Sequence, residues 1–262
     1  MTGLDGQIAA VVLDWAGTTI DFGCLAPVAA LQSVLLNHGI SLSPEEVRVG
    51  MGLPKKDHLR GLLGARGAEA LADGIYPELE KAIMTQLGLH AELIPGTPEL
   101  AAWLRDEGVK IGTSTGYTRE MMRIVASSAA RQGYVPDAVV TPDDVPAGRP
   151  APFMMYANAH RLRAWPLWRF VKIGDTPSDV SEGRNAGSWT VGVARTGNAL
   201  GLTAAQADAL APRDSAARLE DARHSLEEAG ADYVVDSVAD CRPVLLEIAG
   251  LLRDGARPGI TI

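Results

Sequence analysis

A short apolar run, Ile8-Ala9-Ala10-Val11-Val12-Leu13, stops at a carboxylate, Asp14, and at the turn Trp15-Ala16-Gly17-Thr18-Thr19. The run is too short to cross a bilayer and is rich in β-branched residues, so it reads as a strand buried on both faces, as in a parallel sheet. Ligands of open α/β sheets gather at the carboxyl ends of strands, which puts Asp14 where chemistry is expected. An aspartate there is either a turn or cap residue or a nucleophile or metal ligand.

Size and charge narrow the class. The chain has 262 residues, 47% of them hydrophobic, enough for one α/β domain carrying a large insertion. A net charge of -8 disfavours a nucleic-acid partner but leaves room for an anionic substrate in a locally positive pocket. No membrane span is expected, and Met1-Thr2-Gly3-Leu4-Asp5 has no basic segment before a long apolar stretch, so no signal peptide is read there. Cys24 and Cys241 are far apart and match no metal spacing, which suggests a reduced, cytoplasmic protein.

Along the chain, residues 26–37 show helical periodicity (Val28, Leu31, Val34, Leu35), and Ser43-Pro44-Glu45-Glu46 is a helix start. Further helical segments are expected over 68–74 and 76–87, and nothing between about 22 and 96 looks like a strand. From Pro98 onward, helices alternate with strand-like runs at 109–113, 138–141, 170–174, 190–194 and 233–235. That alternation predicts a doubly wound parallel sheet, a Rossmann-like α/β core formed by residues 1–22 and 97–262, with an inserted all-helical lobe at 23–96. The Gly/Ala-rich stretch 195–212 reads as a loose surface excursion.

Four loops then share one rim. They carry Asp14; Ser114-Thr115-Gly116 before a helix; Gly148-Arg149-Pro150; and Gly174-Asp175-Thr176-Pro177-Ser178-Asp179. Thr115, Asp175 and Asp179 each admit a helix-capping role, and Arg149 a solvated one. Together they make a phosphate site: free N–H groups and a hydroxyl at a helix start, a fixed cation, and oxygen-only ligands suited to Mg²⁺.

The order Asp14, Thr115, Arg149, Gly174-Asp175, Asp179 resembles the haloacid dehalogenase superfamily. The resemblance implies that Asp14 attacks phosphorus to form an aspartyl phosphate, and that the helical lobe is a cap. Members that act as phosphatases usually carry an acid two residues after the nucleophile; here that residue is Ala16. A leaving group that needs no proton from that side, such as carbon, fits this change.

The helical lobe supplies Met51-Gly52-Leu53-Pro54-Lys55-Lys56-Asp57-His58. Lysines at a helix start oppose the macrodipole, and a desolvated lysine near a second cation becomes a usable amine nucleophile. Such an amine, joined to an aldehyde beside the C–P bond, would accept the electrons of the departing carbon. The cluster also admits a plain solvated helix start.

Asp14-Trp15-Ala16-Gly17-Thr18-Thr19, Gly23-Cys24, Met51-Gly52-Leu53, Lys55, Asp57-His58, the run from Thr115 to Met122, the run from Thr141 to Pro150, and Gly174-Asp175-Thr176 together resemble the phosphonoacetaldehyde hydrolase (phosphonatase) family. That resemblance implies Mg²⁺-dependent hydrolysis of the C–P bond of phosphonoacetaldehyde, with acetaldehyde and phosphate as products. It implies Asp14 as nucleophile and Mg²⁺ ligand, the Ala16 carbonyl and Asp175 as further ligands, and Asp179 in support. Lys55 would form a Schiff base, and Thr115, Gly116 and Arg149 would hold phosphate. Met51, His58, Tyr117 and Cys24 would line the imine site, although Met51 and Cys24 fit core packing equally well. His58 suits a proton shuttle, and Lys56 competes with Lys55 for the reactive role. The resemblance also implies a homodimer through the cap. The runner-up is a phosphatase or phosphomutase acting on a small phosphate ester, and a third class is a non-catalytic binder of phosphate ligands. Linkers near Phe22 and Gly96 are expected to act as hinges that close the cap and exclude water.

Overall fold

The computed structural model describes residues 3–259. Met1 and Thr2, which open the stretch read above for a leader, lie outside the described residues. The chain begins with β1 (Ala10–Leu13), then runs through α1 (Leu25–Asn37), α2 (Pro44–Arg48), α3 (Lys55–Gly64) and α4 (Ala72–Leu87). Next come α5 (Thr97–Asp106), β2 (Lys110–Ser114), α6 (Arg119–Arg131), β3 (Ala138–Val140), α7 (Phe153–Leu162) and β4 (Phe170–Gly174). The last part is α8 (Pro177–Asn185), β5 (Trp189–Val193), α9 (Ala204–Ala209), α10 (Pro212–Glu228), β6 (Tyr233–Val235) and α11 (Cys241–Arg253).

The strands form one parallel sheet in the order β3-β2-β1-β4-β5-β6. This is the doubly wound Rossmann order, and the winding reverses at β1. Alternate residues of β1 enter different cores. Val11 and Leu13 join the large cluster that also contains the helices after β1, whereas Ala10 and Val12 join a smaller cluster with Met155, Leu162 and Phe170. The register pairs Leu13 with Thr113 on one side and Ile173 on the other. The residues that follow, Asp14, Ser114 and Gly174, therefore stand at one level at the carboxyl ends of the three central strands, at the topological switch point.

The stretch between β1 and α5 contains helices α1 to α4 and no named strand among the described residues. Ser43 closes a capping box with Glu46, as its sequence suggests. Two expectations need correcting. Residues 68–74 and 76–87 are not two helices but a 3-10 turn at Glu69–Leu71 leading into one continuous α4. Gly74 and Pro77 both weaken a helix, but they sit near its start, and the buried stripe Ala72, Ile75, Leu79, Ile83, Leu87 outweighs them. The stretch 195–212 is not loose: it contains α9, and Thr196, Asn198 and Leu200 are buried. It packs onto the turn after β1, where the Thr196 side chain donates through Oγ1 to the Gly17 carbonyl (2.7 Å). No helix among the described residues is long and apolar enough to cross a membrane.

Candidate active site

The turn after β1 is tied down by its own backbone. The Trp15 carbonyl accepts from the N–H groups of Thr18, Thr19 and Ile20, and Thr19 Oγ1 donates to the Asp14 carbonyl (2.9 Å). Asp14 is thereby presented at the strand end, 5% exposed. Asp14, Asp175 and Asp179 each bring a carboxylate oxygen within 4.8 Å of the others. Like charges this close in a dry site are unfavourable. Burial, then Asp14 and Asp179, push the Asp175 carboxyl up to about 8. An oxygen-only cluster of this kind fits a hard divalent cation such as Mg²⁺.

Arg149 stands among these carboxylates, 2% exposed. It pairs with Asp14 (2.9 Å), Asp179 (2.8 Å) and Glu182 (3.1 Å), which hold its guanidinium firmly protonated. Lys172, buried in the middle of β4, pairs with Asp179 (2.8 Å) and donates to Ser114 Oγ (3.0 Å), which in turn donates to Glu182 (2.7 Å). Lys172 and Glu182 were not singled out in the sequence, and Ser114 was named only as the start of its anion-binding turn. The readable signals are a lone charge inside an apolar strand and an acid three residues after Asp179 on α8.

The helix caps settle several alternatives. Thr118, not Thr115, caps α6, with its side chain accepting from the Met121 N–H. Thr115 Oγ1 instead accepts from the Tyr117 N–H (3.1 Å), and Thr115 is buried. Thr176 caps α8 and forms a capping box with Asp179, so Asp179 serves that cap and the ion network together. Asp175 and Asp179 are both buried, not turned to water.

Lys55 is the first residue of α3 and is 5% exposed, so it is not a solvated helix start. It lines one small cavity, of about 20 Å³, together with Asp14, Ala16, Thr115, Arg149 and Asp175. Met51, Cys24, Gly116 and Tyr117 complete much of the wall. Lys55 Nζ has soft company: Met51 Sδ at 3.6 Å and the Tyr117 ring, with its centroid at 5.2 Å. Burial pulls its ammonium pKa below the ordinary lysine value, outweighing nearby anions. Lys56 points elsewhere, to Asp73 (2.9 Å) and the Tyr76 ring, and is 43% exposed. His58 is buried but does not line the cavity; its Nε2 lies 2.9 Å from the Val47 carbonyl. Burial and the charge of Lys55 push it down to about 4, so it is neutral at neutral pH. A larger groove of about 570 Å³, lined by Arg184, Trp189, Tyr233 and Arg257 among others, contains none of these groups.

The loop before α3 reaches the sheet by close backbone approach. A Cβ on Gly52, at φ +89°, would lie 2.4 Å from Thr176 Oγ1, and one on Gly116 would lie 2.4 Å from the Leu53 carbonyl. Glycine at both positions lets the loop that carries Lys55 seat on the strand-end loops.

The model of the haloacid dehalogenase-like hydrolases matches residues 8–187. The chain is 43% identical to the phosphonoacetaldehyde hydrolase of Nitratidesulfovibrio vulgaris, covering 97% of this chain and 95% of that one. It is 45% identical to the phosphonoacetaldehyde hydrolase of Syntrophobacter fumaroxidans, covering 97% and 96%. The crystal structure of a phosphonoacetaldehyde hydrolase-like protein from Oleispira antarctica superposes with a TM-score of 0.93 at 36% identity, over 98% of both chains. The chain thus belongs to the haloacid dehalogenase-like hydrolases and, among them, to the phosphonoacetaldehyde hydrolase family.

Proposed function

We propose that this hydrolase cleaves the C–P bond of phosphonoacetaldehyde to give acetaldehyde and phosphate. The observation that carries the reading is the meeting of Lys55, from the helical insertion, and Asp14, from the sheet, in one dry cavity whose position 16 is alanine. The names of the relatives support the same substrate.

In this reading the neutral Lys55 amine condenses with the aldehyde, releasing water and leaving a protonated imine. An Asp14 oxygen attacks phosphorus, the C–P bond breaks, and its electron pair passes through carbon to the imine nitrogen as an enamine. No acid at position 16 is required, because carbon leaves without taking a proton from that side. Water then hydrolyses the aspartyl phosphate. The enamine is protonated at carbon, and hydrolysis of the imine frees acetaldehyde and Lys55. Arg149 and the N–H groups around Thr115 and Gly116 grip the phosphoryl oxygens. Tyr117 and Met51 keep water from the amine. Asp14, the Ala16 carbonyl and Asp175 would hold Mg²⁺, with Asp179 in support; when bound, the ion supplies positive charge to the phosphoryl group.

Residues 23–96 act as the cap in this reading, hinged near Phe22 and Gly96, and close over the substrate. A cytoplasmic homodimer through the cap belongs to the same picture, and Leu36 on α1, 63% exposed, offers apolar surface for it. The test is incubation with phosphonoacetaldehyde and Mg²⁺. Equal release of acetaldehyde and phosphate is expected, and borohydride should fix substrate carbon to the peptide containing Lys55. Label on another peptide, or phosphate release without acetaldehyde, would overturn the reading.

A further inference from the structure

The Asp175 carboxylate is oriented by three donors. Thr18 Oγ1 reaches Oδ1 (3.2 Å), while the Asn198 N–H (2.7 Å) and Cys24 Sγ (3.3 Å) reach Oδ2. The two donors to Oδ2 come from different places: Cys24 caps α1 at the entrance to the helical insertion, and Asn198 lies in the loop after β5. One side chain holds both backbones. Arg48, the last residue of α2, donates through Nη1 to the Gly23 carbonyl (2.8 Å), next to Cys24. The same Nη1 donates to the Asn198 carbonyl and Oδ1 (both 3.1 Å), and Nη2 donates to the Gly201 carbonyl (2.9 Å). Asn198 Nδ2 returns a bond to the Arg48 carbonyl (3.3 Å). Beside this knot a cleft of about 350 Å³, lined by Arg48, Met51, Asp175, Ser178 and Asn198, runs along the seam between α2 and the sheet.

We infer that Arg48 is a positioning residue for Asp175: Arg48 clasps Gly23 within the helical insertion, seating the insertion brings the pair onto Asn198, and these two set the donors that aim the Asp175 carboxylate at the divalent cation. The inference rests on Asp175 being a cation ligand, as in the reading above, and it makes cation affinity depend on whether the insertion is seated. An arginine suits the task because its planar fork reaches several carbonyls at once, which an ammonium does not.

The sign of the effect separates this role from simple electrostatics. Removing a half-buried positive charge near a cation site would by Coulomb's law tighten cation binding. Loss of the clasp would weaken it. The experiment is calorimetric titration of Mg²⁺ into the full chain without substrate, comparing the wild type with Arg48→Met, Arg48→Ala and Asn198→Ala. Arg48→Met should bind Mg²⁺ about 10-fold more weakly, the usual scale for losing an outer-shell partner of a metal ligand. Methylguanidinium, admitted through the cleft, should restore affinity to Arg48→Ala but leave the wild type unchanged, a rescue that general structural damage would not show. Asn198→Ala keeps the backbone donor and should weaken binding only a few-fold; it decides the matter if the Arg48 variants do not fold. Unchanged or tighter Mg²⁺ binding in folded Arg48→Met, or in Asn198→Ala if that variant must decide, would overturn the inference. Because no phosphonate is used, failure of the proposed reaction would leave this result standing.

Discussion

The rim of the sheet and the start of α3 treat charge in opposite ways. At the rim, Arg149, Lys172, Asp179 and Glu182 are each nearly inaccessible to water, and each has ionic partners at about 3 Å. At α3, Lys55 is equally buried but touches a thioether and an aromatic face. One region pins charges in place against partners of opposite sign; the other starves an ammonium of solvation, which lowers its hold on its proton. Both are desolvated, and what differs is whether a partner of opposite sign comes along.

The largest test of that contrast removes the two groups that react in the proposed mechanism, Asp14 and Lys55. Asp14→Asn and Lys55→Met should each lower kcat by about 10⁴-fold or more, as loss of a covalent participant does. Only the first touches the ion network, so thermal melting should fall for Asp14→Asn and stay level or rise for Lys55→Met. A second test concerns stability. Glu182→Ala strips an anion from Arg149 and Lys172 and should cost about 3–5 kcal/mol in urea unfolding. A cost near zero would mean the rim is less tightly coupled than its geometry indicates. A third addresses how the regions meet. Gly116→Ala places a methyl against the Leu53 carbonyl and should reduce kcat/KM about 10²-fold by misplacing Lys55, with far-UV circular dichroism unchanged. The smallest effect is on pH. The lysine pKa is lowered by burial, so borohydride trapping should rise with pH as the amine loses its proton, and level off below the ordinary lysine value of 10.5. A plateau reached only at that value would show Lys55 to be solvated.

Much of the sheet was legible because β1 is a continuous apolar run and β4 is apolar apart from Lys172, and each strand-end loop carries its chemistry within a few residues of the run. Asp14, Thr115, Arg149 and Asp175 were found that way. Strand order was not legible, since it depends on which crossovers go left or right of β1. The role of Lys55 could be read only as an option: whether a lysine at a helix start is solvated or buried depends on what the loop before it packs against, here Gly116 and Thr176. Arg48 and Asn198 were invisible for a related reason. Their bonds run mostly to backbone carbonyls 25 to 153 positions away, and a carbonyl leaves no mark in the sequence. The stretch around Asn198 misled because its glycines serve close packing, Gly197 on Asp175 and Gly201 on Arg48, not looseness.

The cavity shared by Lys55 and Asp14 has a practical consequence. At about 20 Å³ it has room for about one water molecule, several times less than an aldehyde-bearing phosphonate needs. A ligand of that size does not fit while the walls stand as they do, so preformed crystals of this arrangement are expected to resist soaking. Ligands should be added before crystallisation, and in the proposed reaction the rate at which these walls part would set an upper limit on how fast successive molecules are processed.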